Sequence, residues 1–342
     1  MTAKIESVLT SIYDSVSTND ILYDYNASKL YIELSRNEAR GILNNHDLFE
    51  RAFDLATNIN NLSGVINEKR SSYEEIEQQL LTYSLQIAEF DDVLYRKYIE
   101  QWLFPVEALL LYRSGELLKA ESLIIEAISR IDELITVHHL DSFLFRMILQ
   151  HSNLATLYIN ADQHEKAQQI LSGILDYLFN GNVSKHLHGN AFNNESLWGE
   201  MEFLREYNAY YYFKSSIDKI SRNKNKDLEG YKESFFSLLK PLFSMEVFTE
   251  ERYLINAWIK TEMNLVKDDY SVFIEEVNTF FKDDVDESFD FLKVHLLDSL
   301  IIAFQKLNFN DDQAHYEEIL KLKIKLGENR NLDVINTSTR NP

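Results

Sequence analysis

Turn residues are so sparse in this chain that long helices are nearly all it can build: nine glycines and three prolines punctuate 342 residues. Sheet-rich folds of that length need more of both, because their many turns call for backbone conformations that glycine and proline supply. With 45% hydrophobic residues the chain can fill a substantial core, or one that runs the whole length of a solenoid. The expectation is an all-α fold of long helices joined by short polar turns.

The stretch from Pro105 to Leu178 holds two units of similar pattern. In the first, Ala108 and Leu111 precede a turn at Gly115, and Ala120, Ile124 and Ala127 follow. In the second, Leu154, Ala155 and Tyr158 precede a polar turn at 160–163, and Ala167, Leu171 and Ile174 follow. Spacings of three and four mark the buried stripes of paired helices, and alanines at 120 and 167 let such helices approach closely. On Ala155, Tyr158, Ala167 and Leu171 the second unit resembles the tetratricopeptide repeat, with its small residue and aromatic on one helix and alanine on the next. The first unit has Leu111 in place of the aromatic. Ala120 and Ala167 are 47 residues apart, against about 34 in the standard repeat. The resemblance implies an array of antiparallel helical hairpins, a tetratricopeptide-like α-solenoid, across 71–327. A helical bundle over 1–70 caps it, and 328–342 has the composition of a disordered tail. An ordinary bundle whose hairpins carry alanines is the plainer alternative.

In chain order, helices are expected over 2–17, 27–43 and 47–60, the last with Asp47 as its N-cap. Ser71 or Ser72 caps another, with glutamates in its first turn. The helix from Asp92 meets Pro105, which cannot continue its hydrogen bonding, so a kink or restart is expected there. Residues 181–194, rich in Asn and Gly without an apolar period, read as an inserted or mobile loop. Further helices are expected over 196–220, 228–239, 249–267, 270–282, 287–307 and 311–326.

Fifty-five acidic against 34 basic residues give a formal charge of −21, a field that repels nucleic acid and anionic membranes. A basic protein or a neutral peptide is the easier partner. The sequence has no cysteine, hence no disulfide, thiolate metal site or cysteine nucleophile. It also lacks a glycine-rich phosphate loop, and no cofactor is expected. The first residues lack the charged-then-apolar order of a signal peptide, and no apolar run approaches membrane-spanning length, so a cytoplasmic location is expected.

Three helices expected to stand first in their hairpins each carry an asparagine beside a small residue, with an arginine on about the same face. Arg146 lies seven residues before Asn153, Arg205 three before Asn208, and Arg252 four before Asn256. Asparagine amides bind a peptide backbone as donor and acceptor, and arginine clamps carboxylates. Tyr211 and Tyr212, in the run 207–213, would add an aromatic wall. The resemblance implies that these eight residues line a concave peptide-binding groove. Exposed helical residues paired with nearby acids would give the same pattern.

His186 and His188 form a His-X-His pair without an evident third metal ligand, so no metal site is expected. His138 and His139 suit the negative end of a helix dipole. A helical enzyme similar to class I terpene synthases is the remote alternative. It fails at Asp91-Asp92, which no third acid follows, and at Gly230, where the second metal motif needs a hydroxyl; Asp283, Asp284 and Glu287 come too near the C-terminus. The expectation is therefore a non-enzymatic protein- or peptide-binding module, with a structural subunit of a larger assembly as its rival.

Overall fold

The computed structural model describes residues 26–43, 45–194, 197–198, 202–221, 235–239, 250–282 and 290–306. The helices expected over 2–17 and 311–326, the acids at 283–287, the second metal motif around Gly230 and the tail at 328–342 lie outside them. Among the described residues every regular element is a helix. The chain divides into two compact units, Met1–Phe213 and Lys214–Pro342.

The first unit contains α1 (Asn26–Ile42), α2 (His46–Glu68), α3 (Tyr73–Ala88), α4 (Val93–Arg113), α5 (Leu117–Thr136), α6 (Leu144–Asn160) and α7 (His164–Asn180). The division falls within α8 (Glu202–Ser221). The second unit adds α9 (Glu250–Val266), α10 (Tyr270–Lys282) and α11 (Asp290–Lys306).

Local chemistry explains most of these boundaries. Asn45, not Asp47, caps α2, its side chain accepting from the Leu48 N–H at 3.2 Å, and Asp47 falls in the first turn instead. At the other end Lys69 turns into the left-handed region at φ 53°, nine residues beyond the expected stop at 60. Ser72 and Glu75 form a reciprocal capping box on α3. Asp92 caps α4, its side chain accepting from the Leu94 N–H at 2.8 Å. Helix α6 has no capping side chain of its own. Glu38, on α1, supplies one from afar: its carboxylate accepts from the N–H groups of Asp141 and Ser142, both at 2.9 Å, in the short 3-10 turn Asp141–Phe143 ahead of α6. Burial pushes the Glu38 carboxyl pKa up, against the hydrogen bonds from Ser142 that pull it down.

Pro105 does not break α4. The helix runs unbroken from Val93 to Arg113 with the proline inside it. A proline at 105 removes the N–H that would have reached the carbonyl four residues back, that of Gln101. The Nη2 of Arg146, on α6, donates to that Gln101 carbonyl at 3.2 Å and takes the place of the missing donor.

Helices packed on helices build the core. In the first unit α4 packs on α5 and on α2, α6 on α5 and on α7. Ala120, Ala127, Ala155 and Ala167 are fully buried, as close helix approach requires. An aromatic series crosses the elements: Phe53 to Phe49 at 6.1 Å, Phe49 to Tyr98 at 6.1 Å, and Tyr98 to Phe143 at 5.8 Å between ring centres. Such pairs each add about 0.5–1.5 kcal/mol beyond the area they bury. In the second unit α9, α10 and α11 pack mutually around Trp258, Phe273 and Leu296.

Residues 181–194 form a loop, as expected, but a fastened one that straps α5, α6 and α7. Leu187, Ala191 and Phe192 are buried in it. Asp132 of α5 accepts from the Ala191 N–H at 2.8 Å, and His151 of α6 accepts from the His188 N–H at 2.8 Å. Two glycines make the crossing possible. A Cβ on Gly173 of α7 would fall 2.9 Å from the Ser184 Cβ, and one on Gly189, at φ 111°, would fall 1.9 Å from the buried Met147 Cε.

Candidate functional site

Three helices, α4, α6 and α8, bring polar and aromatic side chains together in the first unit. Alternation along α4 places Tyr98, Gln101 and Trp102 within one turn of each other. On α6 the spacing of four and three aligns Arg146, Gln150 and Asn153. Helix α8 contributes Asn208, Tyr211 and Tyr212.

Arg146 is the centre of the arrangement. Its guanidinium carbon lies 3.5 Å from the centre of the Trp102 ring, a stacked cation-π contact. Its Nε donates to the Gln101 Oε1 at 3.1 Å, and its Nη2 donates to the Gln101 carbonyl. Gln101 is held for this role: fully buried, it donates its own Nε2 to the Tyr98 carbonyl at 3.2 Å. The hydroxyls of Tyr98 and Tyr212 interact electrostatically with the guanidinium. Burial pushes the Arg146 pKa down to about 9, so the group keeps its charge at neutral pH. Burial also raises the pKa of Tyr98, Tyr211 and Tyr212, which stay neutral phenols.

Among the described residues no carboxylate pairs with Arg146. The nearby Arg36 differs, since Glu50 accepts from it at 3.1 Å. The indole Nε1 of Trp102, on the ring beneath the guanidinium, is buried and has no hydrogen-bond partner. Among the described residues, a half-buried cation without a carboxylate and a buried donor without an acceptor thus occupy one spot, where the unmatched donor alone is a cost of roughly 1–3 kcal/mol.

The residues expected to line a groove divide among several places. Arg146 and Tyr212 come together, but Tyr212 is buried against Tyr211, with ring centres 5.1 Å apart, and forms floor, not wall. Tyr211 is 39% exposed and stands at the rim. Asn153 is half-buried and donates its Nδ2 to the Gln150 Oε1 at 3.1 Å. Asn208 is 2% exposed: it faces the interior beside Ala209 and offers no amide to an open groove. Arg205 sits near Gly181 and Tyr177, at the C-terminal end of α7, where a cation suits the dipole. Arg252 and Asn256 are half-buried on α9 in the second unit. Sequence reading missed Tyr98, Gln101, Trp102 and Gln150. A spacing of one turn around Pro105 was the available signal for the first three.

The histidines His151 and His188 fasten the strap to α6. His151, fully buried, has Nδ1 against the Met147 carbonyl at 2.8 Å and Nε2 against the His188 N–H, so both nitrogens are used by a neutral ring. Burial pushes its pKa down to about 4. His188 stacks on it at 5.9 Å, and His186 is half-buried in the strap. Among the described residues no three His, Asp or Glu side chains converge where a metal ion could bind, and no helix is long and apolar enough to cross a membrane.

No protein-family model matches the chain, and neither a curated protein nor a solved structure matches it.

Proposed function

We propose that the chain is a non-enzymatic interaction module that holds an extended protein or peptide segment against the face formed by α4, α6 and α8. In this reading the packed helix pairs are antiparallel hairpins of a tetratricopeptide-like array, and the segment lies across successive first helices. The observation that carries it is the graded exposure of the side chains linked there: buried Gln101, Gln150 and Tyr212, half-buried Arg146 and Asn153, and exposed Tyr211. Asn153 would fix the backbone of the segment and Tyr211 would supply apolar contact. The charge of −21 favours a basic or neutral segment.

A photo-crosslinking residue placed at Tyr211 tests this, against the same residue at exposed Glu126 on α5. We expect a discrete crosslinked partner from native extract at 211, absent at 126 and weakened by Asn153→Ala. Equal crosslinking at both positions, or none at 211, would overturn the reading.

A structural-subunit reading draws on a different surface. Leu81 and Leu85, one turn apart on α3, are 54% and 63% exposed, a spacing suited to burial against another chain. Crosslinking confined to that helix would favour it.

A further inference from the structure

We propose that Arg146 and Trp102 form a receptor for a carboxylate, the anionic group by which the bound segment is anchored to this face. The inference rests on the segment-binding reading for its setting, and on the local geometry for its chemistry.

Of the five N–H donors of a guanidinium, Gln101 uses two on Arg146. Those two bonds, one to the side chain and one to the carbonyl that Pro105 leaves without a donor, fix the plane of the group on the Trp102 ring. The remaining N–H groups meet no carboxylate among the described residues. The Trp102 Nε1–H, buried and unmatched, lies on the same stacked pair. A planar acceptor with two oxygens satisfies both, by accepting from the guanidinium edge with one and from the indole with the other. The two bonds to Gln101 already hold the guanidinium in place, so the anion has only to displace the side chains that cover the indole nitrogen.

Charge selects a carboxylate over a phosphate. Among the described residues the other cation acting on Tyr98 is Arg36, which pairs with Glu50, a carboxylate that Arg40 shares at 3.1 Å. At the stacked pair itself one guanidinium supplies one positive charge, which matches a monoanion. A phosphate dianion would be left with a surplus negative charge at a half-buried site in a protein of net charge −21.

The three tryptophans, Trp102, Trp198 and Trp258, make the test direct. The full chain labelled with 5-fluorotryptophan gives separate fluorine resonances, and Trp102→Phe identifies the one of interest. Sodium acetate is titrated against sodium chloride at matched ionic strength. We expect the Trp102 resonance alone to move, saturably, with acetate. Arg146→Gln should weaken the response ~10- to 100-fold, the scale of a lost charged hydrogen bond, and Arg205→Gln should leave it unchanged. Because Arg146 also serves the Gln101 carbonyl, the same loss is read in a Pro105→Ala, Arg146→Gln variant, in which the restored backbone N–H supports α4. An acetate response equal to that of chloride, one that survives Arg146→Gln, or none up to about 1 M, where a contact of zero standard free energy is half-filled, overturns the proposal.

Three blocked glycine-based tripeptides then separate the two sources of the carboxylate. One ends in a free carboxylate, one is amidated, and one is amidated but carries a terminal glutamate side chain. A response to the first alone assigns a chain terminus, to the third alone an acidic side chain, and to both any carboxylate. A response to the amidated glycine peptide equal to the others overturns the proposal. Loss of selective crosslinking at 211 with the acetate response intact removes the segment reading and keeps the anion site; the converse keeps the segment reading and removes the site.

Discussion

Two sides of α6 treat buried polar groups in opposite ways. On one, His151 lies under the strap with both ring nitrogens matched, by the Met147 carbonyl and the His188 N–H. On the other, Arg146 lies over Trp102 with two donors matched by Gln101 and the rest, among the described residues, without a carboxylate. The two residues are five positions apart on one helix. A polar group with every valence answered by the fold rigidifies the fold; one answered in part is free to answer something else.

Stability against pH is where that contrast should be largest. The folded-state pKa of His151, about 4, lies below the ordinary value of 6.5, so the unfolded chain takes up a proton first as the pH drops. The contribution of His151 is complete above pH 6.5 and is lost as the pH falls from there toward 4, to the extent of about 3 kcal/mol. Denaturant unfolding at a series of pH values, compared between the wild type and His151→Asn, should show this slope only in the wild type. The difference matters because Glu38, Asp141 and Glu107, whose carboxyl pKa values are raised by burial, push the slope the other way in both proteins. Identical slopes would remove His151 from the structural side of the comparison.

Smaller effects should separate the two asparagines on the binding side. Asn208→Ala, at a 2% exposed position, should lower unfolding stability by about 1–2 kcal/mol. Asn153→Ala, half-buried on α6 and donor to the buried Gln150, should lower it by less, about 1 kcal/mol at most, while weakening the crosslink at Tyr211. Reversal of that order in thermal denaturation would exchange floor and rim.

Arg146 and Pro105 should be energetically coupled. In wild-type α4, Arg146→Met deprives the Gln101 carbonyl of its substitute donor; after Pro105→Ala, the backbone N–H at 105 supplies one. A double-mutant cycle should therefore return a coupling near 1 kcal/mol. Additive effects would mean that the long-range bond contributes nothing to carrying the helix past the proline.

Local chemistry was legible in the sequence and chemistry between helices was not. The scarcity of glycine and proline, the Ser72 capping box and the small residues at 120, 155 and 167 each act over one or two turns, and each reads directly as helix. Pro105 misled because its remedy comes from Arg146, a partner far along the chain. Residues 181–194 read as an unattached loop because their polar composition hides three buried side chains, Leu187, Ala191 and Phe192. At the site, Arg146 and Tyr212 were picked out, yet Gln101 and Trp102 were not, since nothing in a linear spacing says which helix lies across from which. Asn208 was assigned outward from its place beside Ala209 with Arg205 three residues before it, a local pattern that does not mark which side of α8 is interior.

Glu38 carries a consequence for how the chain assembles. The turn that starts α6 receives its acceptor from a residue 103 positions earlier, so its stabilisation waits on a long-range closure that no local nucleation can replace. During synthesis α1 leaves the ribosome long before Asp141 does, so the carboxylate is available when the turn emerges. A chain refolding from denaturant has no such order imposed, and must find that contact by search.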